Sequence, residues 1–338
     1  MKKIVLLLLV VISFGNIYAQ NPNLGTAGAQ FLQLPVGARS EAMGDAIVGL
    51  ADDASAIFWN PAGIAKVINM QAHFSYMNWF GLFDFNAASL VYNADDIGTF
   101  GASMVVFTTD KMEITTEQEP NGTGRYFDAG DIALGISYAK FLTDRFNVGL
   151  TVKYINQRIW NETASGIAFD IGTQYRLDFQ NLTIAMCMSN FGADMKFDGP
   201  DLDFTYRKDD EYPQSRLIPS RLSTQEYPLP LSFQVGIGFD VFEYDFVKMK
   251  GAIDVTHPND NAERAHFGTE FSFFDRFFVR AGYKYNYDDQ DFTFGAGANV
   301  PLGGSAVYFD YAFSLYNILP IIHLVEICYP IYIIHYTQ

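Results

Sequence analysis

Six titratable residues fall on strand-forming stretches at spacings that set them face to face. With Asp275 at the centre of a tight turn, Glu270 lies opposite Arg280 and His266 opposite Lys284. Folding back across residues 242–246 in the same way sets Asp240 opposite Lys248. Opposite charges directly across an antiparallel ladder stabilise the pairing by roughly 0.2–1 kcal/mol. The chemistry open to such pairs is electrostatic. They can form a satisfied wall, a lining that selects a solute, or a latch for another segment.

Bond-making chemistry lacks its parts. The sequence has no G-x-S-x-G elbow and no H-E-x-x-H pair, and its five histidines (His73, His257, His266, His323 and His335) are scattered. Gly295-Ala296-Gly297 lies in an alternating strand rather than before a helix, so it is no dinucleotide loop. Cys187 and Cys328 form no spaced metal motif and read as two free thiols. The expectation is a protein that is not an enzyme, with no catalytic, cofactor or metal residues. A triad assembled by geometry on a barrel wall, as in a lipid hydrolase, is the remote alternative.

The elements that must position these charges show a two-residue alternation. Leu231, Phe233, Val235, Ile237, Phe239 and Val241 alternate with Ser232, Gln234, Gly236, Gly238 and Asp240. Ile167, Phe169, Ile171 and Tyr175 alternate with Ala168, Asp170, Gly172 and Gln174. Successive side chains of a strand point to opposite faces, so one face is greasy and the other small or polar. A soluble sandwich packs bulky layers together. Here the second face is glycine or charge in strand after strand, which suits a barrel with lipid outside and water or a plug inside.

About fourteen such strands are predicted between residues 70 and 329, giving an all-β transmembrane antiparallel β-barrel. The connections sort by parity. After even-numbered strands they are tight, as at Thr143-Asp144 and Phe274-Asp275-Arg276. After odd-numbered strands they vary, with long ones at 109–126 and 192–229. Short periplasmic turns and long external loops alternate this way in outer-membrane barrels, counted from an N-terminus on the periplasmic side. The 192–229 loop combines charge with Tyr206, Tyr212, Arg216 and Tyr227, residue types enriched in interfaces, and is the candidate partner surface.

Residues 1–19 read as a signal peptide, with Lys2-Lys3, a short apolar run and Ala19 at the cleavage point. Residues 20–69 are glycine-interrupted, with weak helical signals over 40–50 and 52–59, and are expected to plug the barrel. Pro330 is expected to stop the last strand and leave residues 330–338 as an atypical tail. The net charge of -16 argues against nucleic acid, and the 31 Phe and 20 Tyr would supply aromatic girdles facing outer-membrane lipid.

Two runs carry a family resemblance. One is Ala38-Arg39-Ser40-Glu41-Ala42-Met43-Gly44-Asp45-Ala46, and the other ends in Phe58-Trp59-Asn60-Pro61-Ala62-Gly63. With Phe31-Leu32 and Pro35, they resemble the N-terminal region of FadL-like outer-membrane barrels, and most closely the PorV/PorQ branch. Arg39, Gly44, Asp45, Asn60, Pro61 and Ala62 are the motif residues; Asn60-Pro61-Ala62 is shared with the fatty-acid transporters. The match reaches motif level over residues 25–66 only.

The resemblance implies a fourteen-stranded barrel with an N-terminal hatch in the outer membrane of a Gram-negative-type bacterium. For the PorV/PorQ type it implies a part in type IX protein secretion or surface display. The partners would then be type IX components and the C-terminal signal domains of cargo. The alternative is a FadL-type transporter of long-chain fatty acids or other hydrophobic small molecules. Asn60-Pro61 would fix a turn before the first strand, since Pro sets φ and cannot donate to a ladder.

Overall fold

The computed structural model describes residues 23–207, 217–302 and 305–331. The predicted signal segment, Tyr212, Arg216 and residues 332–338 of the expected tail lie outside the described residues.

Fourteen antiparallel strands close into one barrel. In chain order they are β1 (Met70–Trp79), β2 (Phe83–Asn93), β3 (Thr99–Thr109), β4 (Ala129–Thr143) and β5 (Phe146–Ile159). Then follow β6 (Glu162–Arg176), β7 (Thr183–Gly192), β8 (Ser232–Tyr244), β9 (Val247–Pro258) and β10 (Arg264–Phe273). The last four are β11 (Phe277–Tyr285), β12 (Gln290–Leu302), β13 (Ser305–Tyr316) and β14 (Ile322–Ile331). Each strand pairs with the next, and β14 pairs with β1 to shut the ring. Closure leaves no sheet edge, the condition for strands to cross a bilayer.

The alternation sets the two faces. On β6, Ile167, Phe169 and Ile171 are exposed while Ala168 and Asp170 are buried. On β14, Val325, Ile327 and Tyr329 are exposed while Leu324, Glu326 and Cys328 are buried. An apolar belt therefore faces outward, where lipid replaces water as the solvent. Cys187 and Cys328 are free and buried.

Several expectations need correction. Asp240 faces Lys250, not Lys248, and Lys248 faces Glu243. The turn is two residues, Asp245-Phe246, and a bulge between Asp240 and Phe242 adds a residue to β8, so register shifts beyond it. Pro330 does not stop β14, which continues to Ile331 with Gln71 opposite Pro330. Pairing with β13 has ended at Cys328, so the missing N–H falls on the frayed side of the strand. The helix expected over 40–50 is a single turn, because Gly44 and Asp45 both adopt φ of 64°.

Residues 23–69 run through the barrel. Gly25 N–H donates to Asp260 O at 3.0 Å, in the β9–β10 connection, so the described chain starts at the long-loop end. It reaches Met70 at the short-turn end, where β1 begins. The strand parity holds, but the start of the described chain is not on the short-turn side as expected. Along the way lie 3-10 turns Gln30–Gln33 and Pro61–Lys66 and helices α1 (Ala38–Ala42) and α2 (Ala56–Trp59). α1 packs on β11–β14 and the second 3-10 turn on β3–β6, so the segment touches opposite walls.

Glycines on the wall make the room. A side chain at Gly149, Gly172 or Gly282 would collide with Pro61, Asn60 or Gly44.

Candidate functional site

The motif residues and the lumen charges, separate in sequence, meet at the plug–wall contact. α1 starts at Ala38, so Arg39 and Glu41 project from one helical turn towards β10–β14. The Arg39 guanidinium reaches Asp52 at 2.6 Å, Asp53 at 3.0 Å and Glu270 on β10 at 3.4 Å. Glu270 faces Arg280 across the β10–β11 ladder, at 2.6 Å, and Arg280 also holds Asp310 on β13. The Arg39 backbone N–H donates to Glu326 on β14 at 2.9 Å, and Glu326 lies 3.1 Å from His73 on β1.

A second cluster forms where the helical turn ends. Lys284, opposite His266 on the β10–β11 ladder, reaches Asp45 at 2.7 Å and Glu41 at 2.9 Å. Gln290 and Ser314 donate to Glu41. His266 Nδ1 donates to Gly44 O at 2.8 Å. Gly44 has a left-handed φ, and a Cβ there would strike the Tyr283 backbone, so the position suits glycine on both counts.

On the opposite wall the Asn-Pro-Ala motif docks by hydrogen bonds. Asn60, fully buried, accepts from Ala62 N–H at 3.1 Å and donates to Val48 O and to Thr173 O on β6. Pro61 opens the 3-10 turn where its lost N–H has no partner to miss. Asn147 on β5 donates to Ala62 O at 2.6 Å.

Several residues of this contact had weaker signals in sequence. Glu41 lies inside the motif run, but nothing in its spacing marks it as a partner for Lys284. Asp254, which accepts from Val48 N–H at 2.8 Å, and Glu326 stand on the small faces of their strands. That position was the available signal.

The pairs expected away from this contact fall elsewhere. Lys248 lies at the short-turn rim, bonded to Glu243 and Asp275, and Asp240 accepts from Asn181. In the 192–229 loop, Tyr206 is exposed on a short hairpin, Asp203–Arg207 paired with Leu217–Arg221. Tyr227 is not a surface residue of the expected kind. A backbone bridge to Met195 and the Gly28 N–H to Pro228 O bond draw it into the mouth of the barrel. There its hydroxyl donates to Gln157 at 3.0 Å, and burial, reinforced by the Asp131 carboxylate, pushes its phenol up to about 12.

Two cavities flank the plug. The one towards the long loops has about 110 Å³, and its lining mixes apolar side chains such as Phe31, Leu34, Phe85 and Val105 with Lys153, Asp170, Arg264 and His266. The one towards the short turns has about 630 Å³ and is lined by charge, including Arg39, Lys250, Glu270 and Glu326. Among the described residues no group of His, Cys, Asp and Glu is arranged to hold a metal ion. The arrangement can clamp a segment across a lumen.

Comparison with known proteins bears on this plugged barrel. The family model described as type IX secretion system protein PorV matches residues 17–258. This chain belongs to the PorV family. The match spans the motif runs and the first nine strands, and the fold places this PorV-family protein in the outer membrane. None of the curated protein sequences matches it.

Solved structures share the fold. The toluene transporter TbuX of Ralstonia pickettii aligns over 88% of this chain and 98% of its own, with a TM-score of 0.58 and 12% identity. The toluene transporter TodX of Pseudomonas putida covers 87% and 96%, with a TM-score of 0.56 and 13% identity. A FadL homologue of Pseudomonas aeruginosa covers 88% and 99%, with a TM-score of 0.55 and 12% identity. The family is that of a type IX secretion protein, and the fold is one shared with solved transporter barrels.

Proposed function

We propose that this PorV-family barrel serves type IX protein secretion or surface display as a plugged platform, with its long-loop end turned to cargo. The observation that carries the reading, beside the family, is the clamp across the lumen. Arg39, Glu41 and Asp45 from the N-terminal segment engage Glu270 and Lys284 of the wall in buried ion pairs. A segment held on opposite walls leaves the outer surface and the loops as the places where a large substrate can act. The partners on this reading are other type IX components and the C-terminal signal domains of cargo.

A deletion strain complemented with the parent chain tests it. Loss of cargo from the cell surface, restored by the parent, supports the reading. Intact display together with reduced uptake of a hydrophobic solute would replace it with the transporter reading. That second reading draws on the half-apolar cavity beside Phe31 and Phe85.

A further inference from the structure

The 192–229 loop carries a two-stranded sheet of its own, Asp203–Arg207 against Leu217–Arg221, joined to no other strand among the described residues. Its base is fixed. Asp201 N–H donates to Glu162 at 2.8 Å, Asn161 donates to Asp201 at 2.9 Å, and Arg221 reaches Asp198 at 3.0 Å and Asp203 at 3.1 Å. A lone two-stranded ribbon is marginal in water, and a third strand stabilises it.

The register decides which edge could accept that strand. Leu222 N–H donates to Leu202 O at 2.9 Å, just below the first pair, Asp203 with Arg221. Antiparallel pairs alternate between bonded and non-bonded. Phe204 with Ser220 and Tyr206 with Ile218 are therefore the bonded pairs. The backbone groups of residues 203, 205 and 207 turn to one outer edge, and those of 217, 219 and 221 to the other. Pro219 occupies the middle of the second edge and has no N–H to offer, a common way to blunt an exposed edge. On the first edge the N–H of Asp203 is taken by Pro200 O, and among the described residues nothing pairs with the outward N–H and C=O of Thr205. Phe204, Tyr206 and Ile218 share one face and are each more than two-fifths exposed, at 42%, 50% and 45%.

Building on the secretion reading, we propose that the Asp203–Arg207 edge binds cargo by strand addition. An extended segment of the cargo's signal domain pairs with the backbone of Thr205 and lays apolar side chains beside Phe204 and Tyr206. Main-chain bonds supply the affinity of this mode, and alternate side chains its selectivity. The free ladder defines the occupant, because only an extended chain matches the spacing of its donors and acceptors.

The test uses the full chain in detergent micelles and a fluorescently labelled C-terminal signal domain of a type IX cargo protein. Thr205→Pro removes the outward donor and leaves the bonded pairs on either side intact. It is expected to weaken binding by about tenfold or more. Thr205→Val keeps the donor and the β-branched side chain, and should bind within about twofold of the parent. Exchange of the Thr205 amide should slow when cargo is bound. Retained heat-modifiable migration on gels shows that each variant barrel is folded. Equal binding by the parent and Thr205→Pro overturns strand addition and leaves the secretion reading standing. No binding to the parent overturns both. Self-association of the parent that Thr205→Pro abolishes, without cargo binding, would assign the edge to a second copy and overturn the cargo partner.

Discussion

Lys284 on β11 sits 2.7 Å from Asp45 and 2.9 Å from Glu41, joining the wall to the plug at a site where only 1% of its side chain is exposed. One cation thus holds two carboxylates of another element away from water. Removing it strands both. Lys284→Met is expected to destabilise the docked plug by about 3–5 kcal/mol, the cost typical of an uncompensated buried charge. The triple change Lys284→Met, Glu41→Gln, Asp45→Asn should recover much of that loss. The temperature at which gel migration changes reports it. An equally large loss in the triple variant would show that charge is not what Lys284 supplies.

The glycine contacts make a steric prediction. Gly282→Val places a side chain where Gly44 now lies, with backbone against backbone. The plug should be pushed from that wall while the ladder to β10 and β12 survives, since Val suits a strand. Conductance across a planar bilayer should rise above that of the parent. A barrel that stays as closed as the parent would mean that this contact does not seal the lumen.

The two faces of β8 should differ sharply in tolerance. Val235→Arg puts charge in lipid and should cost roughly 2–4 kcal/mol near the midplane. Gln234→Arg adds charge beside the inner cavity, where Asp170 already stands, and should assemble normally. The yield of heat-modifiable protein in the membrane fraction measures both. Equal tolerance would invert the assignment of inside and outside.

Topology is checked at Arg207, at the end of the exposed hairpin strand. Trypsin added to intact cells should cut there and leave the barrel in place. Cutting only after the envelope is opened would put the long loops in the periplasm.

Much of the architecture was legible because a barrel wall obeys one simple rule. Alternation marked the strands and their faces, and turn length marked the two ends. Glu270 with Arg280 and His266 with Lys284 could be paired because their turn is regular. Asp240 could not be placed opposite Lys250, because the bulge near Phe242 leaves no mark in the hydrophobic pattern. The joining of Arg39 to Glu270, or of Asp45 to Lys284, is set by how an irregular segment lies in the lumen. No periodicity encodes that. Tyr227 has the composition of a contact residue, but its direction comes from the Met195 bridge and the Gly28–Pro228 bond, both long-range.

The path of residues 23–69 has a consequence for assembly order. The segment enters beside Asp260 and leaves at Met70, so a complete ring surrounds it. The ring shuts where β1 meets β14, strands from opposite ends of the wall sequence. Such a contact carries the largest loop-closure cost and forms late. A barrel that waits for its last strand offers an open side through which the plug can be laid against β3–β6 as those strands form. Shutting the seam then brings β11–β14 and their charges onto the far side of the plug, so enclosure and clamping become one event.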